Sequence, residues 1–208
     1  MYHLINSHIG LLLNKLDDGS FVPEYEWLIG NVATTPWPKG YEDRYTQFWR
    51  LNSARLTPTY RSVYFDELKL ELATSSRRSL PQLCLDLYKT PTYKKGGHSL
   101  QFSFSTKLCH MLDPHLPIYD NLVADFYLFS PPIPDKKKGP EPCLAKLNSF
   151  YEWLIGEYVR VLRLGLMKPS IDAFNARFPL HRFTEEKIID SLIWAYVAVA
   201  RNRAILYC

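Results

Sequence analysis

Apolar positions recur at helical spacing along nearly all of the 208 residues. Leu4, Ile5, Ile9, Leu12 and Leu13 make one face of a helix that runs to about Lys15, and Asp17-Asp18-Gly19 ends it. Pro36-Trp37-Pro38 marks a loop before a helix from about Tyr41 to Leu51. Thr57 is a cap and Pro58 a first-turn proline, and Tyr60, Val63, Tyr64, Leu68 and Leu72 follow at helical spacing. A further short helix opens at Ser79-Leu80-Pro81. The segment from Thr90 to Gly97 is a loop leading into a helix from about Ser105 to Leu112, which Asp113-Pro114 stops; the next begins near Asp120. The proline- and lysine-rich run from Ser130 to Pro142 is a surface loop. A long helix follows from about Leu144 to Leu166. Ser170 caps a short helix. Thr184 caps the last, which runs toward Arg203 with Ile188, Ile189, Leu192, Ile193 and Tyr196 as its buried stripe.

Strand alternation is absent, so the pattern predicts an all-α fold of about nine or ten helices. The length suits a single compact unit over 1–208, or two helical subdomains divided near the 130–142 loop. The hexamer Tyr-Glu-Trp-Leu-Ile-Gly occurs at 25–30 and again at 151–156. Its flanks do not match, which makes it a coincidence of two amphipathic helices rather than a repeat.

Composition narrows the class. Hydrophobic residues are 47% and charged residues 22%, as in a water-soluble globular protein. No apolar run approaches the roughly 20 residues needed to span a bilayer, so no membrane role is expected. The N-terminal stretch lacks a basic start and a small-residue cleavage site and reads as an amphipathic helix, not a signal peptide. The four cysteines, Cys84, Cys109, Cys143 and Cys208, form no C-x-x-C pair and no zinc spacing. Reduced thiols in a cytoplasmic protein, with no metal or cofactor, are the expectation. A net charge of +4 permits an anionic partner without requiring one. Most of the 14 tyrosines, 11 phenylalanines and 5 tryptophans are expected in the core, and a surplus of flat rings can also line a groove that stacks bases.

Candidate chemistry centres on Lys107 and Asp120. A deprotonated lysine amine can attack a sugar C1′ and hold it as a Schiff base. A nearby carboxylate can stabilise the cationic sugar formed as an N-glycosidic bond breaks. One lysine and one aspartate are therefore a minimal kit for removing a base from a nucleotide. Asp113-Pro114 reverses the chain between the two helices, which should place them as antiparallel neighbours.

At these residues the sequence resembles the helix-hairpin-helix DNA glycosylase superfamily, most closely its 8-oxoguanine glycosylase-like branch. There a G-V-G-T-K hairpin ends in the nucleophilic lysine, and a P-V-D-x-H-V segment carries the catalytic aspartate. Ser103-Phe104-Ser105-Thr106-Lys107 stands at the first motif and Tyr119-Asp120-Asn121-Leu122-Val123 at the second. The match covers about 20 residues. Both hairpin glycines are serines, Leu122 replaces the histidine, Pro117 lies one residue further from the aspartate, and the Lys-to-Asp spacing is shorter by about a turn or two of helix. No four-cysteine cluster ends the chain, which excludes the iron–sulfur subclass. The resemblance implies a multi-helix glycosylase-like fold with a cleft between two helical parts, acting on double-stranded DNA; the sequence does not give the oligomeric state, and a monomer is the expectation. It makes Lys107 the nucleophile and Asp120 the catalytic carboxylate. It also implies DNA contacts from Ser103, Ser105 and Thr106.

Further contacts with the DNA backbone are expected from Lys94 and Lys95 just before the hairpin and from Lys136, Lys137 and Lys138 in the proline-rich loop. Arg77 and Arg78 are lesser candidates. Met111, one turn past Lys107, and Tyr119 are candidates for a base pocket. Plainer readings stand beside these. Asp120 is a good N-cap whether or not it is catalytic, the lysine runs suit a solvated surface, and Trp49, Tyr60 and Tyr64 suit a core. The leading expectation is a base-excision glycosylase with AP lyase activity. The alternatives are a non-catalytic DNA- or damage-binding module of the same fold, and an assembly protein whose basic loops meet a protein partner.

Overall fold

The computed structural model describes residues 1–18, 20–93, 95–135 and 137–201, with side chains for all of these except residues 53 and 54. The described residues are all-helical and contain no strand. In chain order the helices are α1 (Tyr2–Ser7), α2 (Ile9–Asp17), α3 (Phe21–Asn31), α4 (Tyr41–Phe48), α5 (Pro58–Ala73), α6 (Leu80–Tyr88), α7 (Phe102–Leu112), α8 (Asn121–Phe126), α9 (Glu141–Arg163), α10 (Lys168–Arg177) and α11 (Glu185–Arg201). A 3-10 turn, Leu51–Ala54, follows α4. None is long and apolar enough to cross a membrane.

Local sequence signals account for several helix starts. The Thr57 hydroxyl accepts from the Tyr60 amide at 3.1 Å, ahead of Pro58 in the first turn of α5. Ser79 and Gln82 form a reciprocal capping box on α6. The Thr184 hydroxyl accepts from the Lys187 amide at 3.2 Å at the start of α11. Two expectations need correction. The N-terminal helix is two, because His8 leaves helical geometry at φ −111° and ψ 16°. Ser170 is not a cap. Pro169 already suits the first turn of α10, and the buried Ser170 hydroxyl donates instead to Asn6 Oδ1 at 2.6 Å.

The chain forms two compact units, each discontinuous in sequence. The first comprises Met1–Trp27, Pro114–Ser130 and the chain from Tyr151; the second comprises Leu28–Asp113 and Pro131–Phe150. One of the crossings falls at the start of the proline-rich loop, and three others fall elsewhere.

In the first unit α11 is the central helix and packs on α1, α2, α8 and α10. From Lys187 to Ile193 every residue of α11 is buried, a wider face than the predicted stripe; Tyr196 is only half-buried. Phe21 of α3 stacks on Trp194 at 6.0 Å, and Tyr25 meets the Phe183 edge at 4.4 Å. In the second unit α5, α6 and α7 pack on one another. Trp49, Tyr60 and Tyr64 are core residues there. The Tyr45 and Tyr64 hydroxyls are 2.7 Å apart, and Tyr64 donates to the Phe104 carbonyl at 3.0 Å. This relay ties α4 and α5 to the first turn of α7. Arg78 joins α5 to α6 by pairing with Glu67, Glu71 and Asp86.

Candidate functional site

Lys107 lies in the second unit and Asp120 in the first. The stretch Ser103–Lys107, expected as a hairpin, forms the opening turns of α7. Serine lacks the left-handed freedom of glycine, so nothing at 103 or 105 interrupts the helical run. Phe102, Phe104, Leu108 and Met111 bury its apolar side.

The Lys107 side chain is enclosed, with the residue 9% exposed. Its ammonium donates to Ser103 Oγ at 3.1 Å. It sits 5.0 Å from the centre of the Phe104 ring and 6.0 Å from that of Trp49, within reach of both π faces. His110, one turn on, is buried with its ring edge-on to Trp49. Ser103 therefore acts as a partner of the lysine. Ser105 and Thr106, by contrast, are fully buried, and their hydroxyls return to the Gln101 and Ser103 carbonyls of their own helix. Both hydroxyls are thus taken up inside α7, whose opening turns stand where the hairpin was expected.

Asp120 caps α8. Its Oδ1 accepts from the Leu122 amide at 2.8 Å and the Val123 amide at 3.0 Å. The carboxylate thus stands at a helix N-terminus, where the free amides and the helix dipole favour negative charge. Met111 and Tyr119 are both buried, Met111 in the second unit and Tyr119 in the first, where its ring meets the Phe129 edge at 6.4 Å.

The basic positions divide by environment. Lys95, Lys137 and Lys138 are exposed. Lys94 and Lys136 lie outside the described residues. The loop before α7 is folded on itself: the Thr92 and Tyr93 amides both donate to the Gly97 carbonyl, and Gly96 takes a left-handed φ of 77°. In the proline-rich loop the Asp135 carboxylate accepts from the Lys137 amide at 2.9 Å. Arg77 reaches the Leu112 carbonyl at 3.0 Å and Arg78 is held by three carboxylates, so both act within the second unit. Cys84, Cys109 and Cys143 are free thiols; burial pushes Cys84 and Cys109 up to about 12, which keeps them protonated and unreactive.

A second lysine–aspartate pair, not singled out from the sequence, lies inside the first unit on α11. Lys187 and Asp190 are 3% and 5% exposed, with the Lys187 Nζ 4.0 Å from Asp190 Oδ2. The ammonium also lies over the rings of Phe21 at 5.4 Å and Tyr25 at 5.1 Å. Asp190 Oδ1 accepts from Tyr158 Oη at 2.7 Å and from the Ile118 amide at 3.3 Å. Burial pushes the Asp190 carboxyl up to about 7, against the opposing pull of Lys187 and Tyr158; the negative charge of Asp120 pushes the same way as burial. The signal for this pair was two charges three residues apart among apolar neighbours, Lys187-Ile188-Ile189-Asp190. Such spacing also suits a solvated face, and only the packing of α11 shows it is buried.

No family model, no curated protein and no solved structure matches the chain.

Proposed function

We propose that the protein is a DNA base-excision glycosylase of the helix-hairpin-helix type, acting on a damaged or modified base such as 8-oxoguanine and carrying AP lyase activity. The observation that supports this most is the setting of Lys107. A lysine amine held in one place away from bulk water can serve as a nucleophile toward C1′ once its proton is removed. Lys107 is buried between aromatic rings, with a serine hydroxyl as acceptor. In the proposed reaction the target base leaves the duplex stack. The Lys107 amine bonds to C1′ as the N-glycosidic bond breaks, and the electron pair of that bond leaves with the base, which takes up a proton. Asp120 stabilises the positive charge on the sugar. Loss of the amine proton and ring opening give an imine. Removal of a C2′ proton then expels the 3′ phosphate by β-elimination.

Borohydride trapping on duplexes carrying 8-oxoguanine or an abasic site tests this. Wild type should form a covalent adduct and Lys107→Gln none. No adduct on any substrate, or equal trapping by Lys107→Gln, rejects the mechanism. A second reading, a damage-binding module without chemistry, is favoured by the Asp120 oxygen already engaged by two amides. Tight lesion binding with no adduct would select it.

A further inference from the structure

The segment from Pro114 to Asp120 has no regular secondary structure, yet Pro117, Ile118 and Tyr119 are buried. Its buried backbone groups have no ladder or helix to satisfy them and must find other partners. Three side chains of the first unit supply them. Thr184 donates to the Pro114 carbonyl at 2.8 Å, Tyr151 to the Pro117 carbonyl at 2.9 Å, and Asp190 accepts from the Ile118 amide at 3.3 Å. Two residues beyond Ile118 the chain reaches Asp120, so these bonds set where α8 begins and how its cap is aimed.

The choice of residue at 190 is informative. A carboxylate stands there out of water, beside the Lys187 ammonium at 4.0 Å, and its Oδ1 serves both the Tyr158 hydroxyl and the Ile118 amide, so the buried pair is tied to the approach to α8. Lys187 on its own helix and Tyr158 from α9 contact it, and Asp120 before α8, Tyr127 after α8 and Tyr25 from α3 are close enough to interact with it electrostatically. Asp120 is the only other carboxylate among these groups, and the influence between the two is mutual, because a Coulomb interaction belongs to both charges.

We infer that Asp190 is a positioning residue for Asp120: it anchors the approach to α8 through the Ile118 amide and adds negative potential behind the Asp120 carboxylate. The inference rests on the glycosylase reading for its chemical purpose. Its geometry does not depend on that reading.

Two measurements test it. The first is amide hydrogen exchange on the DNA-free protein. Asp190→Ala should raise exchange at Ile118, Leu122 and Val123 by about tenfold or more, while Asp190→Asn, which keeps an acceptor oxygen, should leave it near wild type. Should Asp190→Ala fail to fold, Asp190→Leu fills the same space without an acceptor and should raise exchange at the same amides. The second is the pH profile of single-turnover base release. Burial pushes the Asp190 carboxyl up to about 7, so its charge is progressively lost as pH falls through that range. The ratio of the wild-type rate to that of Asp190→Asn should therefore approach one at pH 5.5 and reach about tenfold at pH 8, which is about 1.4 kcal/mol of transition-state stabilisation.

A rate ratio that is flat with pH overturns the inference and leaves Asp190 as a structural group. Unchanged exchange at the three amides in Asp190→Ala, or in Asp190→Leu where Asp190→Ala does not fold, overturns it as well. Absence of base release by wild type rejects the glycosylase reading instead. The exchange measurement then decides by itself whether Asp190 positions Asp120.

Discussion

Asp120 is a helix cap and, in the proposed reaction, also the stabiliser of the sugar cation, and the two roles separate by substitution. As a cap it offers an oxygen to two amides, a task that asparagine performs about as well as aspartate. As a stabiliser of a cationic sugar it offers a charge, which asparagine lacks. Asp120→Asn should therefore keep the wild-type melting temperature while lowering single-turnover base release by about a hundredfold or more. Asp120→Ala should lose the same activity and in addition about 1 kcal/mol of stability. A wild-type rate in Asp120→Asn would reduce Asp120 to a cap and remove it from the chemistry.

At the scale of elements, the joint between α5 and α6 depends on one guanidinium. Arg78 meets Glu67 and Glu71 of α5 and Asp86 of α6, and the Glu71 side chain is only 4% exposed. Removing the arginine strands a buried carboxylate, so Arg78→Met should cost about 3 kcal/mol in denaturant unfolding near neutral pH. Arg78→Lys should recover only part of this, because a single ammonium cannot serve three carboxylates in the planar fork that arginine presents. The sign of the pH effect follows from Asp86. A hydrogen bond from Lys89, and then one from Arg78, hold its carboxyl below its ordinary range. A depressed folded-state value gives stability that is present above the unfolded value, about 4, and is lost as pH falls through the folded one. The gap between wild type and Arg78→Met should thus narrow under acid conditions. A gap below about 1 kcal/mol at pH 7 would mean the clasp is replaceable.

For the whole molecule, the sequence made legible what is local and hid what is tertiary. Thr57-Pro58, Ser79 with Gln82, Thr184 and Asp120 announce helix starts because their signals lie within a turn of the helix they cap. Ser170 misled because its partner, Asn6, is 164 residues away. Asp190 was invisible for the same reason: its burial depends on how α11 packs, and its partner amide belongs to Ile118. Charge is the property that needs least tertiary knowledge, and it yields the last test. Lys95, Lys137 and Lys138 are exposed, and the folded loops around them are held by backbone bonds and by Asp135, not by the lysine side chains. Truncating each to alanine should leave stability within about 0.5 kcal/mol of wild type. If these loops meet DNA phosphates, each truncation should weaken binding to any duplex alike and lower the slope of log affinity against log salt by about 1. Binding measured from low to moderate salt on lesion and undamaged duplexes reads both quantities. An unchanged slope in the triple variant would take these lysines off the DNA. No binding by wild type even at low salt, where phosphate contacts are strongest, would turn the basic loops toward a protein partner instead.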